Sequence, residues 1–108
     1  MVVEASFNGR VVAVSDNPVL LEGNVYFPPD SVRWDELQRT RMMSLCFWKG
    51  VASYYTVMVE GIEDRNAAWT YLHPSPLARR IKNHVAFWPG SVLVRAKDGD
   101  PNERSAAG

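Results

Sequence analysis

The sequence predicts a mainly β domain, and three observations carry that prediction. Asn8-Gly9 stands between two β-branched runs, residues 2–7 and 10–14. That pair is a strong hairpin signal, because a type I′ turn needs positive φ at both central positions. Short β-prone runs then recur along the chain, each broken by Gly or Pro. Finally, parallel strands need long crossovers, and no stretch is free to make them, so the strands pack antiparallel. Seven to nine short strands with one or two short helices close into a half-open barrel or a small sandwich.

Each element has its reason. After the first hairpin, Asp16-Asn17-Pro18 breaks the chain, and residues 19–22 and 25–27 flank Gly23-Asn24 as a second hairpin. Pro28-Pro29 ends that strand. Asp30 or Ser31 caps a helical turn over residues 32–37, where Asp35 and Glu36 suit the helix dipole. Residues 38–41 are polar and read as a loop; residues 42–48 return to strand character up to Lys49-Gly50. The longest β run is residues 51–60. Alternation there puts Ala52, Tyr54, Thr56 and Met58 on one face and Ser53, Tyr55, Val57 and Val59 on the other. Both faces carry apolar groups, which marks a central strand. Residues 61–65 read as a polar turn and 66–71 as a strand stopped by Pro74-Ser75-Pro76. Pro76 opens a short helix over residues 77–82, and strands 85–88 and 91–95 follow about Pro89-Gly90. One domain spans residues 1–96; residues 97–108 lack any large apolar side chain and read as a frayed tail.

Composition narrows the function. Of 108 residues, 46% are hydrophobic and 22% charged, a globular profile. Twelve basic and twelve acidic side chains cancel, so no net field draws in nucleic acid, whose binding rests on clustered positive charge. Arg79, Arg80 and Lys82 form a short basic run that reads as a solvated helix face. No apolar run approaches the roughly 18 residues of a membrane span, and the N-terminus has no secretory pattern. The expectation is a soluble, cytoplasmic protein, and the single cysteine, Cys46, suits a reducing compartment. One Cys with His73 and His84 cannot form the usual Cys-rich zinc site, and no glycine-rich phosphate loop is present. No metal and no cofactor are expected.

Chemistry concentrates at residues 45–55, where a thiol, an ammonium and several aromatics lie close together. Lys49 near Cys46 favours the thiolate, the nucleophilic form; the bland alternative is a small buried hydrophobe beside a turn lysine. His73 is the best available base by residue type. Trp48, Tyr54, Trp69, Tyr71 and Trp88 form a rich aromatic set. Such rings fill cores, the first reading for Trp69 and Phe87, yet indoles also line ligand cavities because they join an apolar face to one donor.

The order of motifs supports a resemblance. Glu22 precedes Val25-Tyr26-Phe27-Pro28 and Asp30-Ser31-Val32. Then come Cys46-x-x-Lys49-Gly50-x-Ala52-x-Tyr54, Ala67-Ala68-Trp69-x-Tyr71 with Pro74, Ile81, and Val85-Ala86-Phe87. Over residues 2–95 this resembles the bacterial and fungal family known as domain of unknown function 427. The resemblance implies a β-tent fold like that of Mss4-like proteins and methionine sulfoxide reductases of the B type, though the zinc-binding Cys pairs of such relatives are missing. A nucleotidyltransferase label sometimes attached to the family finds no glycine-serine motif with paired aspartates here. Carried over by position, the motifs point to Cys46, Lys49, Gly50, Tyr54, Trp69 and Tyr71 as pocket residues. Two positions depart from the pattern: Phe47 stands where proline is usual, and His73 where an acid is usual.

Three functions follow as expectations. The first is a module binding a small organic ligand through Cys46, Trp48, Lys49, Tyr54, Trp69 and Tyr71, with Lys49 pairing an anionic group. The second is an enzyme using Cys46, Lys49 or His73. The third is an interaction protein, a homodimer joined through exposed edge strands.

Overall fold

The computed structural model describes residues 2–96. The tail expected over 97–108 lies outside the described residues. Asn8 and Gly9 adopt φ of 52° and 78° and join β1 (Val3–Phe7) to β2 (Arg10–Ser15). A three-stranded sheet has the order β2-β1-β9, with β9 at Leu93–Ala96. β3 (Val19–Leu21) and β4 (Asn24–Tyr26) form a separate hairpin. The main sheet has the order β5-β6-β7-β8, from β5 (Leu37–Cys46), β6 (Gly50–Val59), β7 (Ile62–Thr70) and β8 (Val85–Phe87). Every ladder is antiparallel, and the sheets do not close into a barrel. Phe27 and Val85 exchange both backbone hydrogen bonds, 2.8 and 2.9 Å, which ties the β3–β4 hairpin to the edge of the main sheet.

β6 is central, as its doubly apolar pattern requires. Tyr55, Val57 and Val59 join a core with Phe7, Val12, Phe27, Val85 and Phe87. Ala52 and Tyr54 join a second core with Tyr26, Trp69, Tyr71, Ile81 and Ala86. Successive side chains in a strand point to opposite faces, so Tyr26 and Phe27, or Ala86 and Phe87, feed different cores. β6, the end of β7 and β8 are thus buried on both sides.

Four local expectations are corrected. The second hairpin turns at Glu22-Gly23, both at positive φ, and Asn24 already belongs to β4. A left-handed Glu costs about 1 kcal/mol, and the contacts its carboxylate makes, described below, offset it. The single helical turn over residues 32–37 is instead two 3₁₀ turns, Pro29–Ser31 and Trp34–Glu36, without a side-chain cap. Between them buried Val32 turns extended and bridges to Ala13 of β2. Residues 38–41 are no loop: they continue β5, whose polar character reflects an outer strand facing solvent. The turn placed at residues 61–65 is only Glu60-Gly61, and Glu63 and Asp64 pair with Met58 and Val57 as part of β7.

The helix expected near residue 77 is a 3₁₀ segment, Pro76–Ile81, kinked at Ala78. It buries Ala78 and Ile81 and leaves Arg79, Arg80 and Lys82 exposed, a solvated face as read. β8 ends at Phe87 and β9 begins at Leu93, shorter than the strands expected around Pro89-Gly90.

Candidate functional site

The turn from β5 to β6 is the structural centre of the candidate site. Residues 47–49 make the turn, and Gly50 opens β6 at φ 114°, a conformation that L side chains rarely adopt. The turn is strapped down from one side. The Ser75 amide donates to the Lys49 carbonyl at 2.9 Å, and the Ser75 hydroxyl donates to the Trp48 carbonyl. A side chain at Gly50 would meet the His73 carbonyl oxygen at 3.4 Å.

This strap sends Lys49 inward, where it is only 7% exposed. Its Nζ lies 5.4 Å from the Trp48 ring centroid and 5.8 Å from that of Tyr71, within range for cation–π attraction. Glu22, from the turn between β3 and β4, accepts hydrogen bonds from Lys49 Nζ and, at 3.0 Å, from Trp48 Nε1. Behind the ammonium, Trp69 stands edge-on to Tyr26 with centroids 6.3 Å apart and donates to its hydroxyl at 3.3 Å. Tyr54 and Trp88 flank Trp69 at 6.3 and 5.3 Å. Tyr54 shares a hydrogen bond with Ser44 at 3.0 Å. Cys46, half-buried at the end of β5, packs against this cluster.

The six residues expected to bind a ligand are therefore neighbours: Cys46, Trp48, Lys49, Tyr54, Trp69 and Tyr71 surround one aromatic cluster. His73 is not among them. Its backbone lies against Gly50, but its side chain is exposed, and among the described residues no hydrogen bond joins its imidazole to Cys46 or Lys49. Three surface grooves of about 350–410 Å³ lie elsewhere on the molecule, and none is lined by Cys46, Lys49 or Tyr71. The cluster meets solvent through Cys46, Trp48, Glu22 and Trp88. Glu22 and Tyr26 belong to the site although composition and spacing did not single them out. The signal was their place in the motif order, ahead of the cysteine; the 27 residues separating Glu22 from Lys49 hide the contact.

Electrostatics follow from this packing. Burial works against the Lys49 charge, but the Glu22 hydrogen bond, helped by Tyr71 and Tyr26, holds its pKa above the ordinary lysine value. The Lys49 and Trp48 hydrogen bonds lower the Glu22 carboxyl correspondingly. Burial pushes the Tyr71 hydroxyl up to about 12 against the pull of Lys49, and burial raises Tyr26 as well. Burial would also raise the Cys46 thiol; backbone amides of Lys49 and Trp48 and the nearby ammonium outweigh it and leave the thiol below its ordinary value. The site thus combines a cation held by its carboxylate partner, two phenols whose pKa values are raised and a thiol whose pKa is lowered. Among the described residues no three His, Cys, Asp or Glu side chains gather as a metal would need. Among the described residues no helix is long and apolar enough to cross a membrane.

Fold and site define a small antiparallel β domain with a lysine–glutamate pair set in an aromatic cluster. The chain belongs to the family described as a domain of unknown function (DUF427), whose model matches residues 1–98. No curated protein matches it.

Proposed function

We propose that this domain binds a small organic ligand on the face where Trp48, Cys46 and Glu22 reach solvent above the buried rings. The observation that carries the reading is Lys49: a charged ammonium kept 7% exposed among aromatic rings, with one carboxylate for a partner. Burying a charge is costly unless it is paired, and a ligand-binding role accounts for placing one there. Glu22 is 44% exposed on its side chain, so it can swing aside while an anionic group of the ligand takes its place on Lys49. The half-buried indole of Trp48 then offers a ring face to the ligand's apolar body.

The test is a thermal-shift screen of small aromatic carboxylates and their neutral amides, run on the wild type and on Lys49→Met. Carboxylates are expected to raise the wild-type melting temperature and leave the variant unmoved. If none of them raises it, or if both proteins respond alike, the reading fails.

A second reading, an enzyme with Cys46 as nucleophile, is favoured by the lowered thiol. Alkylation by iodoacetamide across pH would show an apparent pKa below that of a free cysteine, rising in Lys49→Met; a thiol that reacts only after denaturation would remove this alternative. The finer fold kinship, a β-tent of the Mss4-like type, is supported by the family resemblance. The free thiol supports a cytoplasmic location. Among the described residues β5 has no partner strand on its outer side, and Met42, Met43 and Leu45 on it are exposed, which supports pairing of two copies along that edge.

A further inference from the structure

A second polar feature lies at the other end of β5. Opposite Tyr54, β5 bulges between Arg39 and Met43. Opposite Thr56, β7 bulges between Asp64 and Ala68, with Asn66 at φ 55°. β6 runs between these strands, so two bulges face each other across it. Thr40 Oγ1 donates to Asn66 Oδ1 at 2.6 Å, a direct bond between strands that are not neighbours in the sheet. The Thr40 oxygen also accepts the Met42 amide at 3.2 Å, and the Asn66 amide reaches Thr56 Oγ1 at 3.4 Å. With its Oδ1 engaged by Thr40, Asn66 keeps its side-chain NH₂ as a donor. Bulges re-aim side chains and recur beside functional sites.

Over this bridge lies a groove of about 410 Å³, and Arg39, Arg41 and Arg65 line it. Arg10 and Arg33 pair with carboxylates elsewhere, but among the described residues none of the three groove arginines does. Arg39 is anchored by a 3.1 Å hydrogen bond to Ser53 Oγ. One carboxylate, Glu63, lies on the groove wall, which leaves a surplus of two positive charges from three arginines and one acid. A planar carboxylate is satisfied by a single guanidinium fork, whereas a phosphate presents three oxygens in different directions. Guanidiniums delivered from two strands, with an amide donor between them, match the second shape.

We propose that the groove between the two bulges is a binding site for the phosphate group of a small molecule, held by Arg39, Arg41 and Arg65 with Asn66. It shares no lining residue with the Lys49 cluster, so it stands or falls independently of the ligand proposed there.

The experiment is calorimetric titration of the full chain with pyrophosphate, and with malonate and a short single-stranded oligonucleotide at matched ionic strength. The comparison proteins are R41Q/R65Q and, as a charge-matched control, R79Q/R80Q on the exposed 3₁₀ segment. All four arginines are exposed, so both variants keep the fold. Pyrophosphate is expected to bind more tightly than malonate. Its affinity is expected to fall about tenfold or more in R41Q/R65Q, as losing charge-assisted hydrogen bonds requires. The control is expected to change it by less than about threefold, through long-range charge alone. Absence of binding at millimolar pyrophosphate, equal losses in the two variants, or malonate binding as tightly would each overturn the proposal. Tighter binding of the oligonucleotide than of pyrophosphate would also overturn it, in favour of a nucleic-acid backbone site.

Discussion

Replacing Gly50 by alanine perturbs the strap that holds Lys49 in place, and its effect is set by backbone conformation rather than by crowding. A Cβ at residue 50 would lie 3.4, 3.5 and 3.6 Å from the His73 oxygen, Pro74 Cα and Ser75 nitrogen. These are ordinary contacts, so steric overlap adds little. The φ of 114° is the obstacle, since a side chain held in so sparsely populated a region costs about 1–3 kcal/mol. For a domain of this size each kcal/mol lowers Tm by about 4–8 °C, so G50A is expected to melt about 4–24 °C below the wild type. Gly9, at φ 78° with no atom within 4 Å of its Cβ position, supplies the control. G9A sits in the milder left-handed region, where the cost is about 1–2 kcal/mol. Urea denaturation of both variants gives the comparison, together with the alkylation rate of Cys46. If strain at residue 50 is relieved by rotating the Lys49–Gly50 peptide, the Lys49 carbonyl turns away from the Ser75 amide, the strap loosens, the preceding Trp48 and Lys49 amides lose their fixed aim at the thiol, and the thiol slows. G50A no less stable than G9A, with an unchanged thiol, would refute the view that this turn is held in a strained geometry.

Two further outcomes are expected. Glu22 has a folded pKa below its ordinary value of 4.5, so its stabilising contribution is present above that value and lost as pH falls through the folded pKa. The stability gap between wild type and Glu22→Gln, followed by denaturation at a series of pH values, should therefore be flat near neutrality and close in acid. A gap that widens in acid would contradict this. Thr70 is fully buried and donates to the His84 carbonyl at 2.6 Å; Thr70→Val removes that hydrogen bond and should cost about 0.5–1.5 kcal/mol, with Thr70→Ser recovering part of it in thermal melts.

Much of the architecture was legible because it is local. Asn8-Gly9 states its turn in two residues, and the doubly apolar run of β6 announces a strand buried on both faces. Boundaries failed where a distant partner overrode local preference. Glu22 enters a left-handed turn because Lys49 and Trp48 receive its carboxylate, and Val32 leaves helical geometry because β2 offers it a bridge and a core. Polar residues 38–41 read as loop since an outer strand needs no apolar pattern on its solvent side. The motif at residues 46–54 was visible as a concentration of chemistry, but spacing could not say that Trp69 and Tyr71 stand beside it, or that the His73 side chain is left exposed to solvent.

What the residues alone determined is the menu: antiparallel strands, their turns, and a thiol, an ammonium and indoles available for use. Tertiary structure decided which of these meet. An ion pair across 27 residues, a hydrogen bond from β5 to β7 over the strand between them, and two cores on opposite faces of one sheet depend on long-range pairing. Such contacts form only when register and twist bring separate segments together, and nothing in a short window of sequence encodes the distance between segments.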